Sequence, residues 1–185
     1  MKASLLALLG VLTLVAAHAA DKAADKAPAT AGPPNLHELM KAVVAPQTQI
    51  VWDVGNNAQD ADGAPDASKL KPTDWAKLIA ASNKVKQAAQ ALAQADHILA
   101  ASPGVKLDGE GNPGTYGVKQ VQAAIDKNPA AFKAFAQALV VNMDQVIAAA
   151  QAKNGQKLFD SSGALDQVCE NCHVQFWYPE EKTPR

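Results

Sequence analysis

The sequence predicts an all-α protein, an antiparallel four-helix bundle, on three observations. Ala accounts for 39 of the 185 residues, and it is both the best helix former and the smallest apolar side chain. Aromatic residues make up only 5% of the chain, too few for the aromatic and β-branched strands of a large sandwich or barrel. Apolar side chains recur at helical spacing in four stretches separated by Gly- and Pro-rich loops, which is the pattern of a bundle. The length suits one domain. With 17 basic and 18 acidic residues and a net charge of -1, the chain has no field to steer it to a phosphate backbone or an anionic bilayer, so nucleic acid is excluded as a partner.

Residues 1–19 have the parts of a secretory signal peptide. Lys2 is a positive start, Ala3 to Ala17 is an apolar run, and Ala17-His18-Ala19 is a small-x-small cleavage site. The run is too short to span a bilayer comfortably, so no membrane span is expected after cleavage. Residues 20–34 combine alternating charge, small residues and prolines with no bulky apolar side chain; such a stretch reads as a flexible tether. The folded domain is expected at 35–179, followed by a tail at 180–185.

The first helix starts behind Asn35 as N-cap, with Leu36, Leu39, Met40, Val43, Val44, Ile50, Val51 and Val54 on one face. Pro46 interrupts it, but the stripe resumes in phase, which predicts one bent helix rather than two. After an Asp-rich loop, a second helix is expected from an N-cap at Thr73 to about Ser102, with Trp75, Leu78, Ile79, Ser82, Val85, Ala89, Leu92, Asp96 and Leu99 facing inward. In the loop from Pro103 to Gly117, Asp108-Gly109-Glu110-Gly111-Asn112 resembles a calcium loop only superficially. Its sixth position is Pro113 and its twelfth is Lys119, where Gly and Glu are needed. Val118 to Asp126 forms a short helical approach, Asn128 caps the third long helix with Pro129 in its first position, and the last helix is expected from about Gly163 to Trp177.

One motif carries chemistry. The chain reads Cys169-Glu170-Asn171-Cys172-His173 near its C-terminus, a CxxCH. On a helix Cys169, Cys172, His173 and Phe176 share one face, so two thiols can add across the vinyl groups of one haem while the adjacent imidazole binds the iron from below. Two cysteines are too few for a disulfide framework. A thioredoxin-like pair wants a βαβ setting that is lacking here, and a zinc site would need a fourth ligand from His37 or His97. The motif predicts one covalently bound haem c and makes the last helix its attachment helix.

A C-terminal CxxCH on the last helix of an Ala-rich bundle, behind a signal peptide, resembles the class II c-type cytochromes, the cytochrome c-prime group and its low-spin relatives, over residues 36–179. One departure is Trp177, which stands four positions after the histidine where better-known members tend to carry a basic residue. The resemblance implies a periplasmic monohaem protein that is not an enzyme but an electron carrier between periplasmic redox proteins. It implies His173 as proximal iron ligand and Met40, near the start of the first helix, as distal ligand in a low-spin six-coordinate branch. It also implies pairing of two copies through the first two helices, where Ala88 to Ala93 permits close approach. The alternative is a five-coordinate haem protein binding nitric oxide or carbon monoxide.

Other candidates are given plainer roles. Met143 is expected in the core. His37 is expected to be exposed in the first helical turn, and His97 to be a hydrogen-bonded structural histidine at the edge of the second helix. Trp52 and Trp75 are expected as core or haem wall, and Tyr116 as a loop anchor. The sole Arg is Arg185, so no distal His–Arg pair supports peroxidase chemistry.

Overall fold

The computed structural model describes residues 32–178. The expected signal peptide, the tether as far as residue 31 and the tail lie outside the described residues. Within them the chain is all-helical: α1 (36–57), α2 (Pro72–Gln94), α3 (Val118–Lys127), α4 (Pro129–Gln151) and α5 (Gly155–Phe176), with a 3-10 turn at Ala67–Lys69. Only two isolated bridges, Asn35 with Leu99 and Gln59 with Pro65, have β pairing among the described residues. None of these helices is long and apolar enough to cross a membrane.

α1 is one bent helix, as its stripe predicts. It runs through α-helical Leu36–Leu39, a π-helical turn at Met40–Val44 and α-helical Ala45–Asn57. Pro46 follows the π turn directly. A proline nitrogen cannot donate to the preceding turn, and the wider turn ahead of it, closed by Ala45 N–H on the Met40 carbonyl, absorbs the mismatch without a break. Asn35 caps the helix through Oδ1, which accepts from Glu38 N–H at 3.2 Å. The first free donors of α1 go to a distant strand-like segment: Leu36 and His37 N–H donate to the Leu99 and Ala100 carbonyls at 2.7 and 3.0 Å.

That segment explains one correction. α2 stops at Gln94, and Ala95 leaves it in an extended conformation, so Asp96 and Leu99 are not on its inner face. Residues 98–100 are drawn out along the start of α1. Ile98 and Ala100 are buried there while Leu99 is 42% exposed, and His97 is exposed in the turn rather than structural. At its other end α2 begins at Pro72, not after Thr73. The N-cap is Lys71, whose N–H is taken by the Asp74 carboxylate at 2.8 Å. A proline in the first position and a carboxylate in the third outweigh the Thr hydroxyl.

α3, the Asn128 cap and Pro129 at the start of α4 stand as expected, with Asn128 Oδ1 accepting from Ala131 N–H at 3.2 Å. The last helix begins eight residues early, at Gly155, capped by Asn154 on Lys157 N–H at 2.9 Å. Ser161, Ser162 and Gly163 read as a helix start in the sequence. In the structure both hydroxyls donate back to carbonyls of the preceding turn, Ser161 to Lys157 at 2.7 Å and Ser162 to Phe159 at 3.2 Å, which keeps them satisfied inside a buried helix face.

Packing joins α2 to α4, α4 to α5, and α1 to both α2 and α5. α1 and α5 approach closely at Gly55, where a Cβ would stand 2.8 Å from Ser162 Oγ. Two apolar clusters fill the interior. One surrounds the fully buried Val51, Leu78, Val85, Met143, Leu158 and Leu165, so Met143 is core as expected, and Trp75 joins it. The other holds Leu92, Ile98, Val121, Ile125, Phe132 and Phe176. Cys169 packs on the first cluster, Cys172 on the second, and Met40 on both. The site therefore lies at the junction of the two.

Candidate functional site

Helix α5 places the motif. Cys169, Cys172 and His173 fall within its last two turns, all half-buried, and helical spacing sets them on one face with the buried Phe176. Phe176 is held edge-on between Phe132, with ring centroids 5.2 Å apart, and Phe135, at 6.1 Å. These contacts anchor the end of α5 on the first turns of α4. Opposite stands α1 with His37, Met40, Lys41, Val44, Thr48 and Trp52.

Between the two helices is a cavity of about 370 Å³, within the range of small-molecule and cofactor pockets. Met40, Cys169, Cys172 and His173 all line it, with an apolar wall from Leu92, Val121, Phe132, Phe135 and Leu139. All four residues singled out for cofactor chemistry thus meet in one space, although Met40 lies more than a hundred positions before the others. Among the described residues no three His, Cys, Asp or Glu side chains are gathered to hold a metal ion. A metal here has to arrive in a frame of its own, needing only one or two protein ligands, as haem iron does.

The polar atoms of the wall describe the occupant further. Both ring nitrogens of His37, and Nε1 of Trp52 and of Trp177, are buried without a hydrogen-bond partner, and all three residues line the cavity. His37 is therefore turned inward, not exposed, a correction forced by the pairing of its backbone with Ala100. Its Nδ1 lies 3.6 Å from Glu38 Oε1, too far for a hydrogen bond. An indole N–H can only donate, and leaving it unmade costs about 1–3 kcal/mol. An occupant with an apolar body and acceptor groups at its edge, as a haem with its two carboxylates has, answers both the wall and the orphaned donors. At the rim Lys41 Nζ lies 3.4 Å from Asp108 Oδ1, pinning the long loop over the mouth. Tyr116 anchors the same loop through its backbone, its N–H donating to the Trp177 carbonyl at 2.7 Å.

The electrostatics of the motif suit attachment rather than redox exchange. Burial pushes the Cys169 thiol up to about 11, with the carboxylates of Asp166 and Glu170 adding to it, and pushes Cys172 up to about 12. A dithiol redox pair needs the opposite shift. Burial also lowers His173, against a smaller upward pull from Glu170, so its imidazole is neutral at pH 7 and free to act as a ligand. Before any thioether forms, a thiol at about 11 instead of 9.0 holds about a hundredfold less thiolate at pH 8. Alkylation of Cys169 and Cys172 by iodoacetamide at pH 8 is thus expected to be about a hundredfold slower in the folded haem-free chain than in urea. Equal rates in the two states would contradict the burial.

Beyond α5 the chain doubles back over the histidine. Trp177 and Tyr178 N–H both donate to the His173 carbonyl, at 2.8 and 3.0 Å. The Trp177 ring stands edge-on to the imidazole at 5.1 Å and 83°, and Tyr178 packs beside it at 5.7 Å. Sequence reasoning assigned nothing to Tyr178, Lys41 or Asp108, since each acts through a turn or a long-range pairing. Comparison with protein-family models, with curated proteins and with solved structures finds no match for this chain.

Proposed function

We propose that this chain is an exported monohaem c-type cytochrome, similar to the class II cytochromes, which carries one electron between periplasmic redox proteins and is not an enzyme. The observation that carries the reading is the convergence of Met40 with Cys169, Cys172 and His173 on one cavity whose wall is apolar and whose unpaired donors ask for acceptors. The finer architecture we infer is an antiparallel four-helix bundle of α1, α2, α4 and α5. It is supported by the circuit of contacts among those four and by the three-residue link 152–154 between α4 and α5, where a short connection favours antiparallel neighbours.

A bound haem supplies a one-electron couple between ferric and ferrous iron. The residues of the chain do the rest. Cys169 and Cys172 fix the cofactor by two thioethers, which prevents its loss outside the cytoplasm. His173, neutral and anchored by the aromatic pair behind it, offers one axial nitrogen, and Met40 offers a thioether from the opposite wall. Ligands held by two packed helices in both oxidation states keep reorganisation small, and a Met ligand favours the ferrous form. Leu92, Phe132, Phe135 and Leu139 exclude water, while the His37, Trp52 and Trp177 donors suit the cofactor carboxylates. Pairing of two copies through α1 and α2 is part of the same reading.

The test is the absorption spectrum of the purified protein. The pigment is expected to survive acid–acetone extraction, to be low-spin and six-coordinate when reduced, and to show a sulfur-to-iron charge-transfer band when oxidised. Rapid carbon monoxide binding by the reduced wild type would overturn the electron-carrier reading in favour of a five-coordinate haem that binds nitric oxide or carbon monoxide. A colourless protein would overturn both.

A further inference from the structure

The aromatic ending Phe176-Trp177-Tyr178 has one member with no part in the cavity. Tyr178 Oη lies 2.6 Å from Glu170 Oε2 and 3.4 Å from His173 Nδ1. Glu170 and His173 are three residues apart on α5, so neighbours on its surface, and the turn after Phe176 lays the phenol across both. We propose that Tyr178 is a positioning residue for the axial histidine: its hydroxyl accepts Nδ1–H of His173 and donates to the Glu170 carboxylate, holding the imidazole in the tautomer whose Nε2 is free for iron. This rests on the reading of His173 as a haem ligand.

The direction of the relay follows from counting protons. A phenol has one hydrogen. An O···O distance of 2.6 Å to a carboxylate is that of a charge-assisted bond, so the hydrogen is committed to Glu170. Burial and the Glu170 carboxylate also push Tyr178 up to about 12, so the phenol keeps that hydrogen across the working range. Toward His173 the oxygen can then only accept. The imidazole must carry its proton on Nδ1, and the lone pair is left on Nε2. Partners of this kind orient a ligating histidine and raise its basicity. At 3.4 Å, and with Glu170 exposed, the electronic component is modest beside the orientation and the choice of tautomer. The Trp177 ring, edge-on to the same imidazole, restricts its rotation but offers it no acceptor.

The experiment uses the full-length holoprotein. Tyr178→Phe removes the hydroxyl and keeps the ring packing. Loss of the acceptor makes the imidazole a poorer donor to ferric iron, so in a spectroelectrochemical titration at pH 7 the redox equilibrium is expected to move toward the ferrous form by about threefold to tenfold. Glu170→Gln, which keeps an acceptor but loses the charge, should move it the same way and less. In ferrous wild type the Nδ1 proton should give a slowly exchanging nitrogen-bound NMR signal that Tyr178→Phe loses. A purely structural role would lower the melting temperature and leave the redox equilibrium and that signal unchanged, and this result would overturn the proposal. Absence of attached haem in the wild type would instead overturn the function on which it rests, so the two failures are distinguishable.

Discussion

Replacing Cys169 and Cys172 with Ala is expected to yield a haem-free protein that melts about 20 °C or more below the holoprotein. The space between α1 and α5 measures about 370 Å³. At about 24 cal/mol per Å³ a void of that size costs roughly 9 kcal/mol, comparable to the whole stability of an ordinary domain, about 5–15 kcal/mol. Each kcal/mol moves the midpoint by about 2–4 °C in a domain of this length. Water recovers little of the loss, because the wall of Leu92, Val121, Phe132, Phe135 and Leu139 offers it nothing to bond. The residues that suffer most are those facing the cavity from both sides, Met40 and Phe176 among them. The two cavity-facing ends of α1 and α5 should therefore lose order before the cluster around Leu78, Met143 and Leu165, which closes without the cofactor. Circular dichroism melts of the holoprotein and the double variant, with hydrogen exchange to locate the loss, measure both effects. An unchanged midpoint in the double variant would mean that the cavity is not built around a missing body.

The scarcity of aromatic side chains fits the same picture. A chain so rich in Ala fills a core poorly on its own, and the fully buried side chains here are Leu, Val, Met and Ser, not rings. What the sequence displayed was periodicity and spacing. The stripe through Leu36, Met40 and Val44 and the CxxCH on a helical face both survive because they depend on a few turns of one helix. Asn35 and Asn128 were legible as caps for the same reason. What it concealed was anything decided by a distant partner. α5 starts early because Ser161 and Ser162 satisfy their hydroxyls on their own helix while Asn142 of α4 donates to the Ser161 carbonyl at 3.0 Å. His37 turns inward because the 98–100 segment, taken for the end of α2, instead caps α1. Tyr178 reaches His173 because the chain reverses just past Phe176. No local pattern records these pairings, since each joins residues whose spacing has no period.

Met40→Ala is expected to convert the ferric haem to a high-spin spectrum, abolish the sulfur-to-iron charge-transfer band, and open the iron to carbon monoxide. His37→Ala should do none of these. Two candidate donors stand one helical turn apart on α1, so the pair of variants is the decisive measurement. The structure favours Met40 by its setting: it packs on both apolar clusters and faces the space between Cys169 and Cys172. A thioether in such a wall carries no cost when unpaired and a gain when it meets a metal. His37 lies a turn nearer the N-terminus of α1, beside Glu38, and shares the rim-facing side with Lys41 four residues on. A cation and an unpaired imidazole side by side suit a carboxylate better than an iron atom. The expected mark of His37→Ala is accordingly a looser cofactor edge, seen as altered infrared bands of the haem carboxylates, with the axial spectrum intact. The reverse pattern, high spin in His37→Ala and low spin in Met40→Ala, would transfer the sixth ligand to His37. A spectrum untouched by either variant, in a protein whose reduced form binds carbon monoxide quickly, would mean that neither side chain occupies the distal position.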